Sequence, residues 1–419
     1  MTDKITALVN MIGANARNAG TALAPMPAET RKEGIERLAD AIPSHQDAIL
    51  LANKQDLKAG THLSDALQDR LALDEARLEG AADGLRAVAA LPDPVGTTIA
   101  EWTQPNDLRI SRVRTPIGVI AIIYEARPLV TVDAAALCLK SGNAAILRPG
   151  SDSLHTSKAL GDLMQDAFAA AGLPDGTAQV IPTADRAAVG AMLQGANGTI
   201  DVVVPRGGRS LVERVQTEAR VPVIGHLEGL CHIYVDKDAD PAMAKDIVVN
   251  AKMRRTGVCG AAETLLVDKA AASDLVPQLA GALAAAGCSI RADAAARALY
   301  ADAEPANADD WTTEYLAPII TLGIVDGVDG AIAHIRQYGS GHTESIVTQN
   351  QPAADHFLAQ VDSAVVMHNA STQFADGGQF GMGAEIGIAT GRLHARGPVG
   401  AEQLTTFKYV VHGSGQTRP

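Results

Sequence analysis

Residues 118–150 read GVIAIIYEARPLVTVDAAALCLKSGNAAILRPG, and their alternation decides the fold. The run 118–124 is apolar throughout, too short for a packed helix and suited to a strand covered on both faces. A helical stretch follows near 130–140, and a second apolar strand, AAILRPG, at 144–150. Further on, a helix is expected at about 153–171, capped by Asp152 or Ser153. AGLPDGTAQVIP (171–182) then reads as helix end, turn and strand. A helix near 184–194, the strand DVVVP (201–205), a helix near 208–218 and the strand VPVIG (221–225) complete the series. Apolar strands separated by helices of this length predict βαβ units and a parallel sheet.

Before this region the texture is helical. Segments near 3–23, 27–56 and 64–90 are rich in alanine and leucine, Pro25 and Pro27 separate the first two, and Pro43 predicts a kink or break. LPDP at 91–94 closes the third. Beyond about residue 230 the alternation resumes. HIYVD (232–236), ETLLVD (263–268), PIITLGIV (318–325) and ESIVT (344–348) are strand candidates, with helices near 240–254, 272–286 and 328–336. The polar segment 300–312 is expected to be an exposed loop. LTTFKYVV (404–411) reads as a strand without a local partner, expected to join a sheet elsewhere in the chain or in another subunit.

The 419 residues allow two to four domains, and 47% apolar content supplies a core for them. Lysine plus arginine is 35 and aspartate plus glutamate 48, a net charge of −13 that argues against nucleic-acid binding. Aromatics at 3% also leave few stacking platforms for single strands. No apolar run reaches the roughly 18 residues of a membrane helix, and the opening MTDKITALVNMIGANARNAG lacks a long apolar core of a leader. A soluble, cytoplasmic protein with no membrane or nucleic-acid partner is expected. The 4 cysteines, none in a C-x-x-C pair, do not form a disulfide framework.

Several segments carry chemistry-bearing residues. Gly381, Gly383 and Gly387 have dinucleotide-like spacing but no strand–turn–helix order, so a packing or active-site loop is the simpler reading. There is no phosphate-binding G-x-x-x-x-G-K-[ST], and no H-E-x-x-H or cysteine–histidine cluster, so no metal site is expected. PRGG (205–208) follows a strand and precedes a helix. Arg206, with the helix N–H groups, suits a phosphate or pyrophosphate, and a plain turn fits as well. Cys138, Cys231 and Cys288 lie in apolar surroundings and read as buried thiols. Cys259 falls in a turn between a helix and a strand, a few residues after Arg254 and Arg255. Cations or helix N–H groups there would favour a thiolate nucleophile, with inert burial the alternative.

Taken together, these segments resemble the gamma-glutamyl phosphate reductases of the aldehyde dehydrogenase superfamily. The resemblance rests on RTPIGVIAIIYEARPLVTVDAAALCLKSGNAAILRPGS (114–151), DVVVPRGGRSLV, NAKMRRTGVCGAAETLLVD, YGSGHTESIVT and the stretch 369–411. YEARP, GVC and HARGPVG are specific to the reductases, whereas AGLPDGTAQVIP and the cysteine loop are shared across the superfamily. The match runs from about residue 10 to 412. It implies an α/β, aldehyde dehydrogenase-like fold with two open α/β domains and a small oligomerisation element. The corresponding parts are a cofactor-binding domain over 1–229, with 101–115 in the oligomerisation element, a catalytic domain over 230–390, and a C-terminal return and oligomerisation strand over 391–419.

The resemblance also assigns roles. Cys259 matches the superfamily nucleophile, and Glu314, in EYLAP, the glutamate that holds the nicotinamide ribose. Arg148, Pro149, Gly150 and Ser151, with Arg206, Gly207 and Gly208, fall on cofactor-binding positions. Ser151 stands where NAD-preferring relatives carry glutamate, and Arg148 adds positive charge, so NADP(H) is favoured. His226 stands in place of the hydrolytic glutamate base, and Ala126 in place of the oxyanion-hole asparagine. Thr256, Gly260 and Pro149 also depart from the family pattern. Arg127, Arg254 and Arg396 are candidates for the substrate's phosphate and carboxylate, structural ion pairs being the alternative. The implied reaction is NADPH-dependent reduction of L-glutamyl 5-phosphate in proline biosynthesis, by a homo-oligomer that partners glutamate 5-kinase. A coenzyme A-dependent or hydrolytic aldehyde dehydrogenase and a non-catalytic dinucleotide-binding module are the alternatives.

Overall fold

In the computed structural model, residues 2–63 and 65–418 are described. The chain divides into two units, one of residues 1–225, 381–387 and 399–419, the other of residues 226–380 and 388–398.

The first unit is built on a four-stranded parallel sheet in the order Ala178–Val180, Ala144–Pro149, Val119–Tyr124, Val202–Arg206. The two central strands are buried at every residue, which is why their sequences are apolar up to Arg148 near the end of the second. The chain moves outward from Val119–Tyr124 in one direction, then returns to add Val202–Arg206 on its other side. That reversal is the topological switch point where open α/β sheets bind ligands at their carboxyl ends.

The helices follow their end signals. Pro43 lies in the last turn of Ala28–Ser44, and His45 separates that helix from Gln46–Ala59. The expected 64–90 helix is two, Asp65–Leu71 and Glu75–Ala90, because the Asp74 carboxylate accepts from Arg77 N–H and starts a new helix. Neither residue expected to cap Leu154–Ala170 does so. The Ser153 hydroxyl is buried without a partner, and Asp152 accepts from Ser151 Oγ. Asp56, from the distant helix Gln46–Ala59, takes the N–H groups of His155 at 3.1 Å and Thr156 at 2.7 Å, with the Thr156 hydroxyl at 2.6 Å. The expected strand 221–225 reduces to a single bridge, Val223 with Val203.

Outside this sheet, Thr98–Thr103, Arg109–Pro116 and Thr405–His412 form an antiparallel ribbon with Arg109–Pro116 in the middle. The C-terminal strand therefore finds its partner in its own chain. Phe407, Tyr409 and Val411, spaced by two, stay exposed, and Trp102 meets Tyr409 edge-on at 6.2 Å.

The second unit holds a seven-stranded, wholly parallel sheet. Its order is Glu304–Pro305, Ser289–Ala292, Ile319–Val325, Ala262–Asp268, Cys231–Val235, Thr343–Val347, Val365–His368. Alternate residues feed opposite faces. Ile233, Val235, Leu265 and Val267 pack with the helices Pro241–Met253 and Ala272–Ala285, whereas Tyr234 and Leu266 pack with Gly327–Tyr338 and Gln351–Gln360. The segment 300–312 is mostly exposed, as expected, but it is anchored at Ala303 and Asp310. Asp310 is buried, with its carboxylate on Arg291, Tyr315 and the Asn307 N–H. No described helix is long and apolar enough to cross a membrane.

Candidate active site

A parallel sheet gathers all the loops that enter its strands at one edge. In the second unit this edge carries Cys259 ahead of Ala262–Asp268, His226 and Gly229 ahead of Cys231–Val235, His342 ahead of Thr343–Val347, and Glu314 ahead of Ile319–Val325.

Cys259 occupies the turn expected for it, and it is the one free cysteine that is not buried. Its side chain packs against the cluster of Val365, Ala375 and Ile388. Burial pushes the thiol of Cys288 up to about 11 and raises those of Cys138 and Cys231 well above the ordinary thiol value, so all three are protonated at neutral pH. The turn is pinned from several sides. The Cys231 thiol donates to the Cys259 carbonyl at 3.1 Å. Gln373 Nε2 donates to the carbonyls of Ala251 at 2.9 Å and Arg255 at 3.2 Å. Gly229 lies so close that a Cβ built on it would be 2.2 Å from the Cys259 carbonyl oxygen.

Gly229 is held in turn by Glu314, whose Oε1 accepts its N–H at 3.0 Å. Burial raises the Glu314 carboxyl above its ordinary value. Two residues on, Leu316 takes a left-handed φ of 49° and donates its N–H to Glu263 at 3.3 Å. Glu263 pairs with Lys252 at 2.5 Å, both buried, with Lys252 at the end of the helix that delivers the cysteine turn. Burial pushes Glu263 up to about 7 against the pull of Lys252. Beside the cysteine, the rings of His226 and His342 meet edge to face at 4.8 Å. The ligating atoms of His226, Cys259 and His342 lie within 4.8 Å of one another, a cysteine–histidine cluster that the sequence reading did not find.

In the first unit the expected cofactor residues lie at the carboxyl ends of the strands, beside the switch point. Arg148 and Pro149 end one strand, Gly150 donates its N–H to Tyr124 O at 2.6 Å, and exposed Ser151 opens the turn beyond. Arg148 is buried, with Nη2 on the Ala184 carbonyl at 2.9 Å and Nε without a partner. Burial lowers its pKa, and the charges of Arg186 and Arg214 lower it further, against the pull of Glu125. Arg206, Gly207 and Gly208 lead into the helix Arg209–Glu218. There Glu125 Oε2 accepts the Gly208 N–H at 3.1 Å, and a Cβ on Gly207 would meet that same oxygen at 2.5 Å. A carboxylate thus already occupies the helix end where the sequence suggested an anion. Asp133 is pushed up to about 7 by burial, with Arg206 opposing.

The three candidate substrate arginines have different local settings. Arg127 is half-buried in the turn before Val130–Lys140 in the first unit. Arg254 is exposed and donates to Gln373 Oε1 at 3.4 Å. Arg396 pairs with Asp362 at 2.5 Å and donates to the Asp362 carbonyl at 2.7 Å, an ion pair that Arg392 shares. His342, Gly229, Gln373, Arg186 and Arg214 were not among the sequence candidates. His342 and Gln373 lie inside segments that carry the family resemblance, which was the signal available.

Residues 3–295 match the model of the aldehyde dehydrogenase family. The gamma-glutamyl phosphate reductase of Parvibaculum lavamentivorans is 58% identical over 99% of this chain and 98% of its own. That of Caulobacter vibrioides is 58% identical over 97% of this chain and 99% of its own. The crystal structure of gamma-glutamyl phosphate reductase from Thermotoga maritima superposes with a TM-score of 0.95 at 41% identity, covering 98% of this chain and 100% of that one. The chain belongs to the gamma-glutamyl phosphate reductases of the aldehyde dehydrogenase family. The aldehyde dehydrogenase match includes Arg148, Arg206 and Cys259 and ends before Glu314 and Arg396. The gamma-glutamyl phosphate reductase relatives extend the likeness through those residues to nearly full length.

Proposed function

We propose that this chain reduces L-glutamyl 5-phosphate to L-glutamate 5-semialdehyde with NADPH, through a thioester on Cys259, as a step of proline biosynthesis. The observation that carries the reading is the setting of Cys259, a part-exposed thiol in a turn braced by Gly229, Cys231 and Gln373. The Cys259 thiolate attacks the acyl carbon, the bond to the phosphate oxygen breaks, and inorganic phosphate leaves. The chemistry that a nicotinamide dinucleotide supplies when bound is hydride transfer to the thioester carbon. The thiohemiacetal then loses its carbon–sulfur bond, the aldehyde departs, and the thiolate is restored. Covalent capture splits one difficult reduction into two easier steps.

Arg148, with its unpartnered Nε and with Arg186 and Arg214 close enough to perturb it, fits an anionic ribose phosphate and supports NADP(H) over NAD(H). Pro149, Gly150, Ser151, Arg206, Gly207 and Gly208 would line the rest of that edge. Because Glu125 holds the Gly208 N–H, the pyrophosphate is assigned to Arg206 rather than to the helix end. Glu314 steadies the cysteine turn through Gly229 and remains the candidate for the nicotinamide ribose. Arg127, Arg254 and Arg396 remain the substrate candidates, the pairing of Arg396 with Asp362 fitting the structural alternative.

A second reading, hydrolysis of the thioester, draws on His226 and His342 beside Cys259 as bases for a water. NADP+ reduction by glutamate 5-semialdehyde, with and without phosphate, separates the two. Turnover that requires both phosphate and Cys259 supports the reductase. Turnover without phosphate sinks it in favour of hydrolysis. A cytoplasmic homo-oligomer closed through the apolar face of the ribbon, cooperating with glutamate 5-kinase, completes the proposal. Sedimentation showing only monomer would remove its oligomeric part.

A further inference from the structure

Three side chains from three separate strand-entry loops converge beside the nucleophile, and their chemistry is that of a metal site. The ligating atoms of His226, Cys259 and His342 lie within 4.8 Å of one another. The hydrogen bonds of the two imidazoles select the nitrogens. His226 Nδ1 lies 2.6 Å from the Ile388 carbonyl, so Nδ1 carries the proton and Nε2 the lone pair. His342 Nδ1 lies 2.9 Å from Thr343 Oγ1 and 3.5 Å from the Cys231 thiol. Its Nε2 is buried, on a ring with no solvent exposure, and has no partner. An orphaned imidazole nitrogen in a dry setting is costly unless something completes it. The carbonyl that holds His226 Nδ1 is the usual outer partner of a zinc-ligating histidine, and at His342 the Thr343 hydroxyl takes that place.

We propose that Cys259 Sγ, His226 Nε2 and His342 Nε2 bind one divalent cation of the zinc class, and that its binding reversibly silences the thiol. One thiolate with two imidazoles suits zinc rather than magnesium or calcium. Tetrahedral bonds of 2.0–2.3 Å space the ligands about 3.5 Å apart. The ligating atoms, one from each residue, lie within 4.8 Å of one another, so binding requires them to draw together by about 1 Å. Binding forms a sulfur–metal bond and releases the thiol proton to solvent, with no change of oxidation state. Three protein ligands leave a fourth position for water. Metal binding stands independently of the reductase reading, whereas the silencing of turnover rests on it.

The test starts from metal-free, full-length protein. Zinc is titrated against a chromophoric chelator, and cobalt(II) is added separately as a spectroscopic probe. The expected result is one ion per chain, a thiolate-to-cobalt charge-transfer band, and protection of Cys259 from iodoacetamide by zinc. Loss of a direct ligand should weaken zinc by more than about 100-fold, the upper end of the effect of losing an outer-shell partner. Cys259→Ser and His342→Gln are the first variants. His226→Gln, at a less buried position, carries the test if His342→Gln does not fold. No stoichiometric zinc binding, a cobalt spectrum without a thiolate band, or unchanged affinity in the variants would overturn the site. Turnover of the metal-free enzyme tests the reductase reading separately. If that turnover is present, zinc should abolish it and a chelator restore it. Full activity of the zinc-loaded enzyme would overturn the silencing.

Discussion

Replacing Gly229 by alanine should cost the enzyme about 100-fold in kcat. No positive φ demands glycine here, so the effect is steric. The new methyl carbon would stand 2.2 Å from the Cys259 carbonyl oxygen, 2.8 Å from its carbonyl carbon and 2.9 Å from its Cα. All three are backbone atoms, so no rotamer change relieves the clash. The Gly229 side is fixed, with its N–H on Glu314 and its carbonyl accepting from Cys231 N–H. The cysteine turn must therefore retreat by about 1.2 Å to reach the 3.4 Å of ordinary contact. A displacement of about 1 Å at a reacting group costs about 100-fold in rate. Overpacking of this kind also costs about 1–3 kcal/mol in stability. Phosphate-dependent NADP+ reduction gives kcat, urea unfolding gives stability, and the iodoacetamide rate at Cys259 reports the thiol's placement. A variant with parental kcat and labelling rate would refute the claim that this close approach positions the nucleophile.

Glu263→Gln should destabilise the fold by about 3–5 kcal/mol, because it leaves the buried Lys252 ammonium without its counter-charge. Urea unfolding checks this, and adding Lys252→Met should recover much of the loss. Asp56→Ala removes the carboxylate that caps Leu154–Ala170 and takes the acceptor from the buried Thr156 O–H, whose oxygen keeps only Asn53 Nδ2, a combined cost of about 2–4 kcal/mol by thermal or urea unfolding. Asp133 should make stability pH-dependent. Its folded pKa is about 7 against an ordinary 3.8, so the folded chain holds a proton that the unfolded chain releases. Its stabilising contribution is complete below pH 3.8 and is lost as pH rises through about 7, at no more than about 1.4 kcal/mol per pH unit. Asp133→Asn should flatten that part of the profile. A variant with the parental pH slope would show that Asp133 is not the source.

What could be read from sequence depended on how local its physics is. The strands Val119–Tyr124 and Ala144–Pro149 stand out because a strand buried on both faces is apolar nearly throughout, Arg148 entering only near the end of the second. The turn after Val202–Arg206 could be read the same way as a candidate anion site at Arg206 to Gly208, whereas Arg148 to Ser151 were singled out only by the family resemblance. The break at Asp74 was missed because alanine-rich segments on either side read as one helix, and a single capping carboxylate decided otherwise. The true cap of Leu154–Ala170 could not be read at all. Asp56 reaches it from another helix, and local rules pointed to the adjacent Asp152 and Ser153. Glu125 on Gly208 is the same kind of event, a distant carboxylate replacing the ligand that the local turn suggested.

The surroundings of Cys259 were illegible for a further reason. Sequence motifs for metal and catalytic sites rely on ligands that share one helix or one loop, where spacing fixes geometry. Here His226, Cys259, Glu314 and His342 each precede a different strand, and strand order alone makes them neighbours. Cys231–Val235 lies between Ala262–Asp268 and Thr343–Val347, so its entry loop sits between the loops that carry Cys259 and His342. The cluster thus depends on the parallel direction of those three strands and on their order, and each local segment is compatible with many other arrangements. It also gives the orphaned His342 nitrogen a consequence. Packing needs no histidine there, since an apolar ring would fill the space without a desolvated acceptor. If His342→Phe folds with unchanged or greater stability, the imidazole is retained at a cost to the fold, as an active-site group would be. A loss of several kcal/mol would instead make His342 a structural residue whose Nδ1 bonds suffice to explain it.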